Sequence, residues 1–189
     1  QMYSTEQSFE ISWTLLKPWE QMALSQLSVF KGGFFMDAAE RVIDLDDFKI
    51  DYLAIDVVGN LVDHSLIQVY NADGEPRFYI FDQMKRLLRE KLQSFELEGA
   101  EYRHALYYAQ LSTKILYQPQ GKTEIIKYFL LEENNFIRAI SNSLKNDWAK
   151  ITAHCALAWQ KCWFDGDTPM HARTLFAKIL KMPNLQHQE

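Results

Sequence analysis

The sequence predicts a mainly α protein: a winged-helix domain with a two-stranded wing, followed by an α-helical domain of TPR-like, superhelical character. Three observations lead there. The one good hairpin signal pairs the β-prone runs Leu66–Tyr70 and Arg77–Phe81 across the turn cluster Asn71-Ala72-Asp73-Gly74-Glu75-Pro76. Short helical patterns broken by turns precede it and one helix follows, which is the element order of a winged helix. From about Ser94 the composition changes, and every later segment reads as helix.

Phe9–Leu16 has apolar residues that fit either the helical or the strand period. Lys17-Pro18 then opens a helix, with Pro at the first helical position where its missing N–H costs nothing. Met22, Ala23, Gln26, Leu27 and Phe30 follow at helical spacing, Gly32-Gly33 breaks the element, and Met36–Val42 forms a short helix. Tyr52–His64 is a longer helix, in which Leu53, Val57 and Leu61 with Ile55, Val58 and Val62 make a wide apolar face. After the hairpin, Asp82 is expected to cap a helix whose stripe is Met84, Leu87, Leu88, the stem of Lys91, Leu92 and Phe95. Strand alternation puts Phe78 and Ile80 over the core with Ile67 and Val69, and Arg77, Tyr79 and Phe81 on the other face, so Phe81 points outward. The rival reading is that Phe81, as the last strand residue, folds back into the local core.

A boundary is expected between Ser94 and Glu98, giving domains 1–96 and 97–189. Helices are expected at Glu98–Leu116, Thr123–Glu133, Asn134–Lys145, Asp147–Phe164 and Thr168–Ile179, punctuated by Pro119-Gln120-Gly121 and Asp165-Gly166-Asp167. Their paired rhythm resembles the start of an α-solenoid. Trp148, Ile151, Cys155, Trp159 and Cys162 lie on one helical face.

Composition sets the class. The chain has 189 residues, 48% hydrophobic and 24% charged, enough to bury a core. Mean hydropathy is −0.27 and no apolar run can cross a bilayer, so no membrane role is expected. The stretch QMYSTEQSFE has no secretory character, and two cysteines make no disulfide framework, so the expected location is the cytoplasm. The net charge of −5 argues against a general nucleic-acid binder.

Candidate chemistry is thin. Gly121-Lys122-Thr123 ends like a phosphate loop, but Leu116 stands where the loop's first Gly belongs, and a helix–helix turn fits better. Cys155 and Cys162 sit about 10 Å apart on one helix, beyond disulfide reach, and neither they nor His154 and His171 have zinc-ligand spacing, so buried free thiols are expected. The basic run Lys85, Arg86, Arg89 and Lys91 reads as a solvated helix face in preference to a DNA contact. Between Met36 and Asp63, eight acids (Asp37, Glu40, Asp44, Asp46, Asp47, Asp51, Asp56, Asp63) oppose only Arg41 and Lys49. That segment would have to face phosphates in a DNA reader, so DNA binding is disfavoured. His64 reads as a polar helix end and Glu132-Glu133 as a solvated one. No catalytic or metal-ligating set emerges, and the chain is expected not to be an enzyme.

Several stretches resemble one family. ISWTLLKPWEQMALSQLSVFKGGF (Ile11 to Phe34), NLVDHSLIQVY (Asn60 to Tyr70), GEPRFYIFDQMKRLLREKL (Gly74 to Leu92) and LEENNFIRAISNSL (Leu131 to Leu144) are similar, in order, to segments of STAND-class signal-transducing ATPases, among them bacterial LuxR-type and related regulators. Such proteins join an NB-ARC-like nucleotide-binding module, a winged helix and a superhelical sensor arm. The resemblance implies a middle piece, with the ATPase core upstream and more helices or an output domain downstream. It implies ATP or ADP bound on that upstream domain and no cofactor on this chain. Its implied partners are the upstream module and, on the helical arm, a protein or small-molecule signal. Many relatives place Met-His-Asp at the end of the second wing strand, the His reaching the bound diphosphate. Ile80-Phe81-Asp82 stand there in this chain, so Phe81 and Asp82 are the nucleotide-facing positions by resemblance, although a phenyl ring cannot donate to phosphate.

Three functions are therefore weighed: a non-catalytic regulatory piece of a STAND-type signalling ATPase, a DNA-binding winged-helix regulator with a helical effector or dimerisation domain, and a free-standing helical scaffold for protein contacts.

Overall fold

A computed structural model describes residues 5–117, 122–162 and 177–181. It divides into two compact units, Gln1–Ala100 and Glu101–Glu189. In order, the first holds α1 (Thr5–Leu15), α2 (Pro18–Leu27), β1 (Gly33–Phe34), α3 (Met36–Val42), a short 3-10 turn (Asp46–Phe48), α4 (Ala54–Asp63), β2 (Gln68–Ala72), β3 (Glu75–Tyr79) and α5 (Asp82–Lys91). α6 (Ser94–Tyr117) begins there, and α7 (Lys122–Lys145) and α8 (Ala149–Cys162) follow. The protein is mainly helical with one small antiparallel sheet, consistent with a winged helix plus a helical region.

The sheet has three strands, not two, in the order β1-β3-β2. β1 pairs Gly33 with Tyr79 and Phe34 with Phe78. At two residues it leaves no alternating pattern in the sequence, which is why it escaped the sequence-based assignment. The hairpin is tighter than expected: β2 and β3 run up to Ala72 and Glu75, and only Asp73-Gly74 turn the chain. Both have positive φ, 52° and 95°, as a two-residue turn of the primed type requires. Asn71 Oδ1 accepts from the Gly74 amide at 2.9 Å. Pairs flanking such a turn exchange hydrogen bonds and alternate from there, so the missing N–H of Pro76, opposite Asn71, faces away from β2. The sheet tolerates a proline at that point because β1 reaches no further than Phe78.

The core of the first unit gathers Leu24, Leu27, Phe30, Phe34, Leu45, Val58, Leu61, Ile67, Ile80 and Leu88, all buried. Phe34 stacks on Phe30 and on Phe78, with ring centroids 4.6 and 6.0 Å away. Gln26, buried on α2, locks α3's exit. Its Nε2 donates to the Asp44 carbonyl, and its Oε1 accepts from the Asp44 amide, both at 2.8 Å. Glu20, also buried, accepts from the Lys17 amide at 2.9 Å and from Asn60 Nδ2 at 3.2 Å, so one carboxylate caps α2 and ties it to α4.

Two side chains of the hairpin depart from simple alternation. Val69 lies opposite Phe78 but is 48% exposed, because β2 is an edge strand with no further strand beyond it among the described residues. Arg77 was expected outward and is 2% exposed. β1 and the residue after it close over it, as described below.

The stretch between Ser94 and Glu98 does not break the helix, for α6 continues through Gly99. One internal glycine costs about 1 kcal/mol relative to Ala, which a helix of 24 residues absorbs. In the second unit the expected helices Thr123–Glu133 and Asn134–Lys145 are one element, α7. Glu-Glu-Asn-Asn at its centre holds no Gly or Pro, and Asn135 pairs with Glu132 within it. Glu132, read as a solvated helix end, is instead 1% exposed. It accepts from Tyr108 Oη at 2.5 Å and from Asn135 Nδ2 at 2.8 Å. Burial, then the Glu132 charge, push the Tyr108 phenol well above its ordinary pKa. Phe136 stacks on Phe129 and meets Tyr108 edge-on.

The face expected on α8 is present, with Ile151, Cys155 and Trp159 buried. Cys155 is a free thiol, pushed up to about 12 by burial against the opposing Ser112 hydrogen bond. The Cys162 side chain, His171, Gly121, and the expected breaks at 119–121 and 165–167 lie outside the described residues, as does most of the Thr168–Ile179 segment.

Candidate functional site

The two surfaces on which a winged helix acts are its wing and the helix preceding it, here the β2–β3 hairpin and α4. What the hairpin shows depends first on what lies under it. The connection from α2 to β1 exposes a run of carbonyls at a helix C-terminus, where cations are favoured. Three are supplied from later in the chain. Arg89 Nη2 donates to the Ser28 carbonyl at 2.8 Å, Lys85 Nζ to the Gly32 carbonyl at 3.4 Å, and Arg77 Nη2 to the Gly33 carbonyl at 2.8 Å. The Arg77 guanidinium also lies over the Phe35 ring, 4.6 Å from its centroid.

The basic run is therefore a solvated helix face only in part: Arg86 and Lys91 are exposed, whereas Lys85 is buried and Arg89 half-buried. Lys85 and Arg89 turn inward, and Lys91 pairs with Glu10 at 3.2 Å and lies 4.8 Å from the Trp13 centroid. Burial holds the Lys85 ammonium below the usual lysine pKa, the contact with Asp82 pulling the other way. Sequence spacing could not reveal this, because the carbonyls being met stand more than 40 residues earlier.

Above this layer the hairpin presents aromatic rings. Tyr70 and Tyr79 lie 5.9 Å apart, and Tyr79 meets Phe81 edge-on at 5.4 Å. Phe81 is 52% exposed, as alternation from Tyr79 predicts. It is not the last strand residue. It follows β3, and it, rather than Asp82, occupies the N-cap of α5 without a side-chain capping bond. Asp82 is the first helical residue. Its carboxylate, exposed, pairs with Lys85 Nζ at 3.1 Å and helps place that lysine under the loop.

α4 is the helix that would enter a major groove in a DNA-reading winged helix. Of the wide apolar face expected there, Val57, Val58 and Leu61 are buried, but Leu53 and Ile55 are 64% and 56% exposed. The other exposed positions are Asp56, Gly59, Asn60 and Asp63. All eight acids between Met36 and Asp63 are exposed, and α4 itself has no Lys or Arg. The sequence hint was available in Asp56, Gly59, Asn60 and Asp63, a polar stripe at helical spacing that forces Ile55 outward beside it.

Among the described residues, no group of three or more His, Cys, Asp or Glu is placed to hold a metal ion, and no helix is long and apolar enough to cross a membrane.

Comparison with known proteins gives a distant relationship. Proteins of Mycobacterium tuberculosis (two strains) and Mycobacterium bovis, whose names provisionally describe HTH-type transcriptional regulators, are 27% identical to the chain over 161 residues. The match covers 83% of this chain and 18% of each relative, so the chain spans less than a fifth of their length. No protein-family profile matches, and no solved structure gives a significant match.

Proposed function

We propose that this chain is a non-catalytic segment of a cytoplasmic HTH-type transcriptional regulator, in which a winged helix makes protein contacts that set the regulator's state and the helices after it begin a TPR-like sensor arm. The relatives' names support the transcriptional setting. The observation that carries the protein-contact role is the exposed face of α4, which offers apolar and acidic groups and no cation where a DNA reader presents Lys and Arg. The exposed Tyr70 and Phe81, with the half-buried Tyr79 between them, give the wing a second apolar face fit for a protein neighbour. By the resemblance alone, that neighbour is the upstream nucleotide-binding module with its ATP or ADP.

A second reading has its own support. Helices, sheet order and wing follow the winged-helix plan, and the relatives are named for a DNA-binding motif. On that reading the chain contacts DNA directly. Anisotropy of a labelled duplex at low salt separates the two. No saturable binding is expected, and binding that weakens as salt rises would favour the second reading.

A further inference from the structure

Gly59 sits in the interior of α4, and a Cβ built on it meets nothing within 4 Å. Packing inside the unit therefore does not require a glycine there, although glycine in a helix interior is less favourable than alanine. Its φ is not positive either, so no turn demands it. A glycine that the fold itself does not use, on an exposed helix face, marks a place where another backbone comes close. The surroundings describe what comes. Ile55 stands one turn before Gly59 on the same face, and Leu53 is the N-cap residue at the start of the helix, both exposed. Asp56 and Asp63 are exposed on the same helix, and Asp46, Asp47 and Asp51 precede it in the chain, exposed, with Lys49 the one base among them.

We propose that this face of α4 is a docking surface for a basic amphipathic helix of a partner protein. Its apolar side chains cover Leu53 and Ile55, its backbone crosses at Gly59, and its Lys and Arg residues meet the aspartates. Charge complementarity selects this occupant: a second copy of the same face would set aspartate against aspartate, and nucleic acid would set phosphate against it. The inference deepens the protein-contact reading above and rests on it.

The probe is a synthetic helix of about 20 residues, long enough to hold structure in water, with leucines on one face bordered by lysines. A twin has glutamates in place of the lysines. With the full chain, the lysine peptide is expected to bind saturably and the glutamate twin not at all. Ile55→Ser and, separately, Gly59→Gln are expected to weaken binding roughly tenfold or more. Gly59→Gln fills open space with a better helix former, so its melting temperature is expected to be no lower than the parent's, which separates lost binding from lost folding. Equal binding of both peptides, binding unchanged in both variants, or a dimer in sedimentation that Ile55→Ser dissolves would each overturn the proposal. The duplex titration is run alongside: DNA binding would defeat the protein-contact reading itself, whereas failure of the peptide without DNA binding defeats only the docking face.

Discussion

The guanidinium of Arg77 donates to the carbonyl oxygen of Gly33 at 2.8 Å, and a Cβ on Gly33 would come within 2.7 Å of the same residue's Nε. The two residues, 44 apart in sequence, leave no room for a larger side chain at position 33 unless a neighbour shifts. β1 exists because glycine lets the buried arginine lie flat against the strand.

Gly33→Ala is accordingly expected to destabilise the protein by about 1–3 kcal/mol, since Phe78's carbonyl, 3.0 Å from the new methyl, is backbone and cannot move aside cheaply. Arg77→Ala should cost at least as much by removing the buried hydrogen bond to the Gly33 carbonyl and uncovering Phe35. Urea titration followed by circular dichroism measures both, and a change in midpoint corresponding to less than about 0.5 kcal/mol in each would remove Arg77 from the account of the sheet.

Glu20 serves two elements at once. Glu20→Ala is expected to cost about 1–3 kcal/mol, because it leaves the Lys17 amide and Asn60 Nδ2 without their carboxylate. Glu20→Gln keeps an acceptor for the Lys17 amide and should recover part of the loss in the same titration.

Cys155 makes stability depend on alkaline pH. Its thiol holds its proton in the fold to about 12, against an ordinary thiol value of 9.0 in the unfolded chain. Between those values the unfolded state has already released a proton that the fold retains, so stability falls as pH rises. Cys155→Ala is expected to flatten that fall by about 1.4 kcal/mol per pH unit within the window. Thiol-reagent labelling gives an independent check: at pH 8 the native thiol should react far more slowly than after denaturation.

Phe81→Ser should leave stability within about 0.5 kcal/mol, because the ring is half exposed and caps nothing. A loss above 2 kcal/mol in the urea midpoint would place Phe81 in the fold and take it out of the candidate contact surface.

Hairpin, helix order and the buried stripe of α8 were legible because each rests on local periodicity or turn chemistry. Ile67, Phe78 and Ile80 fall on the core side as alternation requires, and so does Phe81 on the outer side. What escaped depends on contacts between distant segments. A strand as short as Gly33–Phe34 has no period, and the inward turn of Lys85 and Arg89 follows from carbonyls at Ser28 and Gly32 that no helical wheel displays. Glu132 was misplaced for the same reason, its partner Tyr108 standing on another helix. At α4 the six apolar residues suggested one broad buried face, although the polar stripe Asp56, Gly59, Asn60 and Asp63 already placed Ile55 beside the outer side; for Leu53, at the N-cap, the fold decided.

Pro76 has a consequence for how the molecule keeps to itself. With its nitrogen directed past the end of β1, that flank of the central strand offers an incoming strand no donor at the position where pairing would resume. A hairpin whose outer surface is rich in tyrosine and phenylalanine is otherwise well suited to growing into fibrils by strand addition. The proline closes the flank of β3 beyond β1 to that kind of polymerisation, so strand addition at this hairpin is left to the outer edge of β2.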